Sequence, residues 1–187
     1  MTLLYLILKS IYFMAPVYFA NMTPVFLAKI PGFKKWNMPM DFGKKIGRKR
    51  IFGSHKTWRG FIGGIVAAML VAVIQRELLY NSDGFIRSIS IVAYHEINIF
   101  LFAFLFGFGA MLGDAVKSFF KRRIGKNSGE SWPVFDQLDY VVGSLIFISP
   151  LFFPSWDIVL TVVIVTPALN ILANVIGYVL KLKKVWW

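Results

Sequence analysis

A chain of 187 residues allows one domain or one membrane bundle, and its 57% hydrophobic content and mean hydropathy of +0.64 exceed what a soluble domain of this size can bury. The chain therefore reads as integral to a membrane. Its net charge of +12 sits beside apolar runs, which points to a membrane surface, an anionic lipid or a nucleotide and not to nucleic acid, while the lack of cysteine excludes disulfides, thiolate metal sites and a cysteine nucleophile.

Five apolar segments have the roughly 17–25 residues needed to cross about 30 Å of hydrocarbon. The first covers residues 3–27 and is interrupted by Lys9, Asn21, Pro16 and Pro24. It lacks a basic start and a small-residue cleavage site, so it reads as a retained span. The second and third cover residues 60–79 and 97–119. The fourth, 136–153, must begin at an acidic pair or cross a thinned region, because its purely apolar part, 140–153, is too short alone. The fifth covers 156–180, with Ser155 placed to cap it. The expected architecture is one all-α, polytopic catalytic unit over 1–187 with five transmembrane helices. Gly60, Gly64, Ala68 and Ala72 in the second span, and Gly109 and Gly113 in the third, form small-residue ridges suited to close helix packing in lipid.

Orientation follows from the bases. The loop at about 28–59 carries seven Lys and three Arg against the single acid Asp41. The loop at about 120–135 and the tail, with Lys181, Lys183 and Lys184, are also basic. The intervening loops hold only Arg87. These asymmetries place both basic loops and the C-terminus in the cytoplasm and the N-terminus outside.

The chemistry concentrates in residues 113–143. Asp114, Glu130, Asp136 and Asp139 are four of the nine acids, and Lys117, Lys121, Arg122, Arg123 and Lys126 lie among them. Asp114 at the end of the third span is costly unless paired or cation-bound. Lys117 and Ser118 share its helix face, and a structural Asp114–Lys117 ion pair is the alternative to a functional role. Asp136 and Asp139, at i and i+3, share the first turn of the fourth span, where the helix dipole tolerates negative charge. Facing Asp114, they would form a hard oxygen site suited to Mg²⁺; two solvent-facing helix acids are the alternative. Upstream, Ser54, His55, Lys56, Thr57 and Arg59 precede the second span. Ser54 or Thr57 can cap that helix, and Lys56, Arg59 and the free N–H groups at its start would hold a phosphate. A basic anchor with Trp58 in the interfacial belt explains part of the same loop. Asn21 and Pro24 either line a cavity or form a kinked, satisfied helix.

The pattern Asp114-x3-Ser118-x2-Lys121-Arg122, then Lys126, then Asp136-x2-Asp139 resembles the signature of the phosphatidate cytidylyltransferase superfamily. With GDAVKSFFKRR, WPVFDQLD and the upstream GSHKTWRG, the chain resembles its archaeal branch, the CDP-archaeol synthases, from Asn21 through Gly143. It departs from the phosphatidate-type pattern in Asn127, in Trp132-Pro133 before Asp136, and in Gln137. The resemblance implies an Mg²⁺-dependent cytidylyltransferase with CTP and an isoprenoid ether lipid phosphate as substrates, a multi-pass membrane location and a cytoplasmic active site. It implies Asp114, Asp136 and Asp139 as metal ligands and catalytic residues together with Lys117. Ser54, Lys56, Thr57, Arg59, Ser118, Lys121, Arg122, Lys126 and Asn21 become nucleotide or phosphate contacts. A CDP-alcohol phosphotransferase is a second reading, although no D-G-x2-A-R occurs. A small transporter is a third, although the polar residues gather at one membrane face.

Overall fold

The computed structural model describes residues 2–82 and 84–181. Its order is α1 (Leu3–Leu27), α2 (Pro31–Lys34), a hairpin of β1 (Lys45–Ile46) and β2 (Lys49–Arg50), α3 (Trp58–Asn81), α4 (Phe85–Ile89), α5 (Ile99–Arg123), α6 (Phe135–Ile148) and α7 (Trp156–Val179). Among the described residues, α1, α3, α5 and α7 are long and apolar enough to cross a membrane. The expected fourth span is different. α6 has 14 residues and spans about 21 Å at ~1.5 Å per residue, short of the bilayer core. It begins one residue before Asp136 and gives way to a turn at Ser149. Lys183 and Lys184 of the basic tail lie outside the described residues.

Local sequence explains the helix starts. Thr57 caps α3 by accepting the Gly60 N–H at 3.2 Å, and Asn98 caps α5 by accepting from Phe100 and Leu101, both at 3.1 Å. Ser155 stands at the cap position of α7, but its side chain makes no capping bond. Pro16 and Pro24 lie inside α1, and Pro167 inside α7. A Cβ on Gly60 would lie 3.0 Å from Pro24, so the missing side chain admits that proline ring.

The core forms where α1, α3, α5 and α6 meet. Phe13, Met14, Val17, Phe102, Phe106, Val141 and Ile148 are all buried there, with Phe13 and Phe106 rings 5.2 Å apart. The small-residue ridges behave as close-packing surfaces. On α3, Gly64 lies against Met111 and the Ala20 carbonyl, and a Cβ on Gly107 of α5 would lie 2.7 Å from Ala68. The tightest approach joins α5 to α6. A Cβ on Gly113 would fall 2.2 Å from the Asp139 carbonyl oxygen, and one on Gly143 would fall 2.2 Å from the Gly109 carbonyl oxygen. Two backbones in contact at these glycines fix the α5–α6 register.

The first basic loop is folded around one acid. Buried Asp41 accepts N–H bonds from Gly43 (3.0 Å), Phe52 (3.2 Å) and Gly53 (3.0 Å) and pairs with Arg50. Burial alone would push its carboxyl up, but Arg50 and these three amides outweigh it and hold the group down at about 2. Arg123 at the end of α5 donates to the carbonyls of Ile46 (3.1 Å), Lys49 (3.3 Å) and Arg50, tying the hairpin to α5.

Two outcomes test this framework. Gly113→Ala should lower stability in detergent by about 1–3 kcal/mol through overpacking; Gly32→Ala, whose Cβ would meet open space, should not. Equal thermal midpoints for the two variants would contradict the α5–α6 contact. Because the Asp41 carboxyl is held below its unfolded value, its contribution of about 2 kcal/mol is complete above about pH 4 and is lost as pH falls toward 2. Asp41→Asn should therefore expose the loop of residues 41–53 to limited proteolysis at pH 7, as acidification does in the parent.

Candidate functional site at the α5–α6 junction

The last turns of α5 and the first turn of α6 carry the reactive groups. On α5, Asp114 and Lys117 lie one turn apart, and the Ser118 hydroxyl donates back to the Asp114 carbonyl at 2.9 Å. The chain enters α6 through Val134 at φ +68°, a left-handed conformation unfavourable for a β-branched residue. Asp136 supports that entry, its carboxylate accepting the Trp132 N–H at 2.6 Å.

Because Gly113 and Gly143 let the helices touch, Asp114 on α5 faces Asp136 and Asp139 on α6. Lys117 Nζ stands between the three carboxylates, 3.0 Å from Asp114 Oδ1, 2.9 Å from Asp136 Oδ1 and 2.7 Å from Asp139 Oδ2. Lys56 pairs with the other oxygen of Asp114. Lys121 lies 3.0 Å from Asp136 Oδ1 and also donates to the Glu130 carbonyl. Three acids thus face three ammonium groups, the condition under which carboxylates persist at this depth. The Asp114–Lys117 ion pair raised as the structural alternative is present, inside this larger cluster. On the adjoining loop, the Asn127 N–H and Lys126 hold the exposed Glu130 carboxylate below its usual range.

Asp139 is the most enclosed of the acids, its side chain only 5% exposed. Its Oδ1 accepts the Tyr140 N–H at 2.8 Å, while the buried Oδ2 has no hydrogen bond despite its nearness to the Lys117 ammonium. Among the described residues, no three acidic or histidine side chains stand in a metal-binding arrangement, and the Lys117 ammonium lies between the acids. The donor set nevertheless suits a hard divalent cation in kind: three carboxylates gathered around one ammonium, the innermost of them almost wholly buried.

A polar cavity of about 560 Å³ opens beside this cluster. Lys56, Lys117, Lys121 and Arg122 line it with His55, Ser118, Asp136 and Gln137, and α7 adds Asn170 and Asn174. On the other side of Lys117 lies an apolar groove of about 610 Å³ between α5 and α6. Leu112, Val116, Phe120, Phe135, Leu138, Val142 and Phe147 form its walls, and Lys117 and Asp139 belong to its lining. Lys117 thus lines both spaces.

The structure gathers Lys56, Asp114, Lys117, Ser118, Lys121, Arg122, Asp136 and Asp139 in one place. The other expected contacts do not line the polar cavity. Ser54 and Lys126 line a basic groove of about 290 Å³ that also includes Arg48, Arg50 and Arg122. The Thr57 hydroxyl is used in capping α3. Arg59 is buried and donates to the Phe33 carbonyl at 2.7 Å, which anchors α2. Asn21 lines a crevice of about 280 Å³ between α1 and α7 that adjoins the polar cavity through Asn170 and Asn174, which line both. Asn170 and Asn174 are not among the residues that the sequence motifs single out. Their signal was Thr166, Asn170 and Asn174 at four-residue steps on an otherwise apolar helix.

The family model "CarS-like: CDP-archaeol synthase" matches residues 3–187. Curated relatives called CDP-archaeol synthase include one from Archaeoglobus fulgidus, 39% identical over 97% of this chain and 98% of its own. Another, from Methanococcus aeolicus, is 32% identical over the full length of both. A third, from Methanoculleus marisnigri, is 40% identical over 80% of this chain and 89% of its own. A solved structure described as an intramembrane enzyme for archaeal membrane lipids biosynthesis superposes with a TM-score of 0.66 at 26% identity, covering 90% of this chain and 94% of that one. With its motifs and its fold in agreement over nearly its whole length, the chain belongs to the CDP-archaeol synthase family.

Proposed function

We propose that the chain transfers CMP from CTP to 2,3-bis-O-geranylgeranyl-sn-glycerol 1-phosphate, giving CDP-archaeol and pyrophosphate at the cytoplasmic face of the cell membrane. The observation that carries this reading is Lys117, held among three carboxylates where the polar cavity meets the apolar groove. A water-soluble triphosphate and a lipid phosphate can meet only at such a junction. Family membership sets aside the phosphotransferase and transporter alternatives.

The triphosphate occupies the polar cavity, with Lys56, Lys121 and Arg122 on its phosphates. The prenyl chains lie in the α5–α6 groove, which presents the lipid phosphate to Lys117. A phosphate oxygen of the lipid attacks the α-phosphorus of CTP, the new P–O bond forms, and the bond to the pyrophosphate oxygen breaks. The nucleophile is already an anion, so no strong protein base is required. The residues align two anions and neutralise charge on the leaving group. Asp114, Asp136 and Asp139 would hold Mg²⁺, which when bound supplies Lewis-acid stabilisation of the phosphoryl oxygens. With the acids so occupied, the Lys117 ammonium would be available to substrate phosphate. Ser54, Thr57, Arg59, Lys126 and Asn21 support the loops and walls around the cavity, and the whole of 1–187 acts as one catalytic unit.

We also infer five crossings, with the N-terminus outside and the C-terminus in the cytoplasm. The basic loops border the polar cavity. Asn170 and Asn174 place the C-terminal half of α7 at the same end. The chain from Phe135 to Trp156 must then traverse the bundle, with α6 and residues 149–155 together forming the fourth, short crossing.

Two measurements test these roles. With labelled CTP, Mg²⁺ and the geranylgeranyl lipid phosphate, Asp139→Ala should lose at least ~100-fold in CDP-lipid formation, the scale of removing one electrostatic contributor. Activity within a few-fold of the parent would move the metal elsewhere. Val142→Trp, which fills the groove, should raise the KM for the lipid phosphate about tenfold or more and leave the KM for CTP unchanged. A change confined to CTP would place the lipid in another crevice.

A further inference from the structure

The polar cavity is divided chemically. Lys56, Lys117, Lys121 and Arg122, from α5 and the first loop, provide its positive charge. α7 provides no charge there; its contributions are Ile171 and the amides of Asn170 and Asn174. Two amides on so apolar a helix are costly to retain unless they bond to something. Part of that bonding is internal. Asn174 Nδ2 donates to Asn170 Oδ1 at 3.0 Å, and Asn170 Nδ2 donates to the Tyr140 hydroxyl at 3.3 Å. One turn back, the Tyr18 and Thr166 hydroxyls share a hydrogen bond at 2.8 Å.

In this arrangement the Asn170 Nδ2 faces the Tyr140 hydroxyl as donor and its Oδ1 faces Asn174 as acceptor. An amide carries two N–H groups and two acceptor lone pairs, so Asn170 keeps one N–H and one lone pair beyond the two bonds it makes. Such a donor–acceptor pair complements cytosine, whose 4-amino group donates beside the N3 acceptor. Uracil presents the reverse order, an oxygen acceptor beside an N3–H donor. An amide held in one orientation therefore separates the two bases, whereas a freely turning one does not. The bases of the cavity match the triphosphate, and the uncharged α7 wall is left for the nucleobase.

We propose that Asn170, positioned by Tyr140 and Asn174, reads the pyrimidine of the nucleotide and sets the preference for CTP over UTP. This inference rests on the placement of CTP in the polar cavity.

The test is equilibrium binding of CTP, UTP and pyrophosphate to the detergent-purified full chain, with lipid-phosphate KM measured alongside. Asn170→Ala should weaken CTP at least tenfold and narrow the CTP-to-UTP ratio by a similar factor, leaving pyrophosphate binding and lipid KM unchanged. Asn174→Ala should narrow that ratio in the same direction, and it serves as the readout if Asn170→Ala does not fold. An unchanged CTP-to-UTP ratio in a folded variant overturns base reading, as does a rise in lipid KM alone. Lys121→Ala separates the two layers. If it weakens both CTP and pyrophosphate while the asparagine variants change nothing, the cavity assignment stands and the base reading falls. If it too leaves CTP binding intact, the cavity assignment falls with it.

Discussion

The α5–α6 backbone contact is the constraint on which the rest of the structure depends. Without side chains at Gly109, Gly113 and Gly143, two helices meet carbonyl against Cα, and any Cβ there would overlap a backbone atom. In lipid, where burial of apolar surface gives no preference for one helix neighbour over another, such close packing selects the partner and its register. The consequence is chemical. Asp139, whose own carbonyl touches Gly113, is carried to the same point as Asp114, and Lys117 closes the cluster from the next turn of α5.

The cluster then has to survive at the edge of a low-dielectric region. Three carboxylates in close proximity repel one another, and burial adds to the cost. Lys56, Lys117 and Lys121 balance them one for one, each supplied by a different piece of local architecture. Lys56 comes from the loop that Asp41 folds, Lys117 from the face of α5 that meets α6, and Lys121 from the turn beyond it. The charges of the site are thus balanced within the chain itself. Its acids are satisfied by ammonium groups, and under the proposed function the same ammonium groups would serve phosphates if a harder cation took the acids. The short α6 fits this arrangement, since a helix that starts at the polar cavity carries Asp136 and Asp139 in its first turns, next to the end of α5.

Much of this was legible in the sequence because it obeys periodicities. Four of the long helices lie within a few residues of the apolar runs that announced them, the glycine ridges pack as small-residue spacing requires, and Asp114, Asp136, Asp139 and Lys117 converge. What was not legible depends on tertiary distance. Arg59 sits two residues after a cap and reads as a phosphate ligand, yet the direction of its side chain toward the Phe33 carbonyl is set by α2, which only the folded loop defines. Asp41 looked like a lone acid in a basic loop. Its importance comes from three amides and Arg50, brought to it by the turn at 41–53. The length of α6 was obscured because residues 149–153 continue the apolar run after the helix has ended. Asn170 and Asn174 were hidden by their surroundings, since polar groups on an apolar helix gain meaning only when the cavity they face is known.

The central claim is that Asp114, Asp136 and Asp139 form one cation site shared with Lys117, at the meeting point of nucleotide and lipid. Anomalous diffraction from crystals grown with CTP and Mn²⁺ in place of Mg²⁺ tests it most directly. The account predicts a manganese peak among the three carboxylates, with the Lys117 ammonium turned to phosphate. A manganese bound away from these acids, with Lys117 still paired to all three, would contradict it.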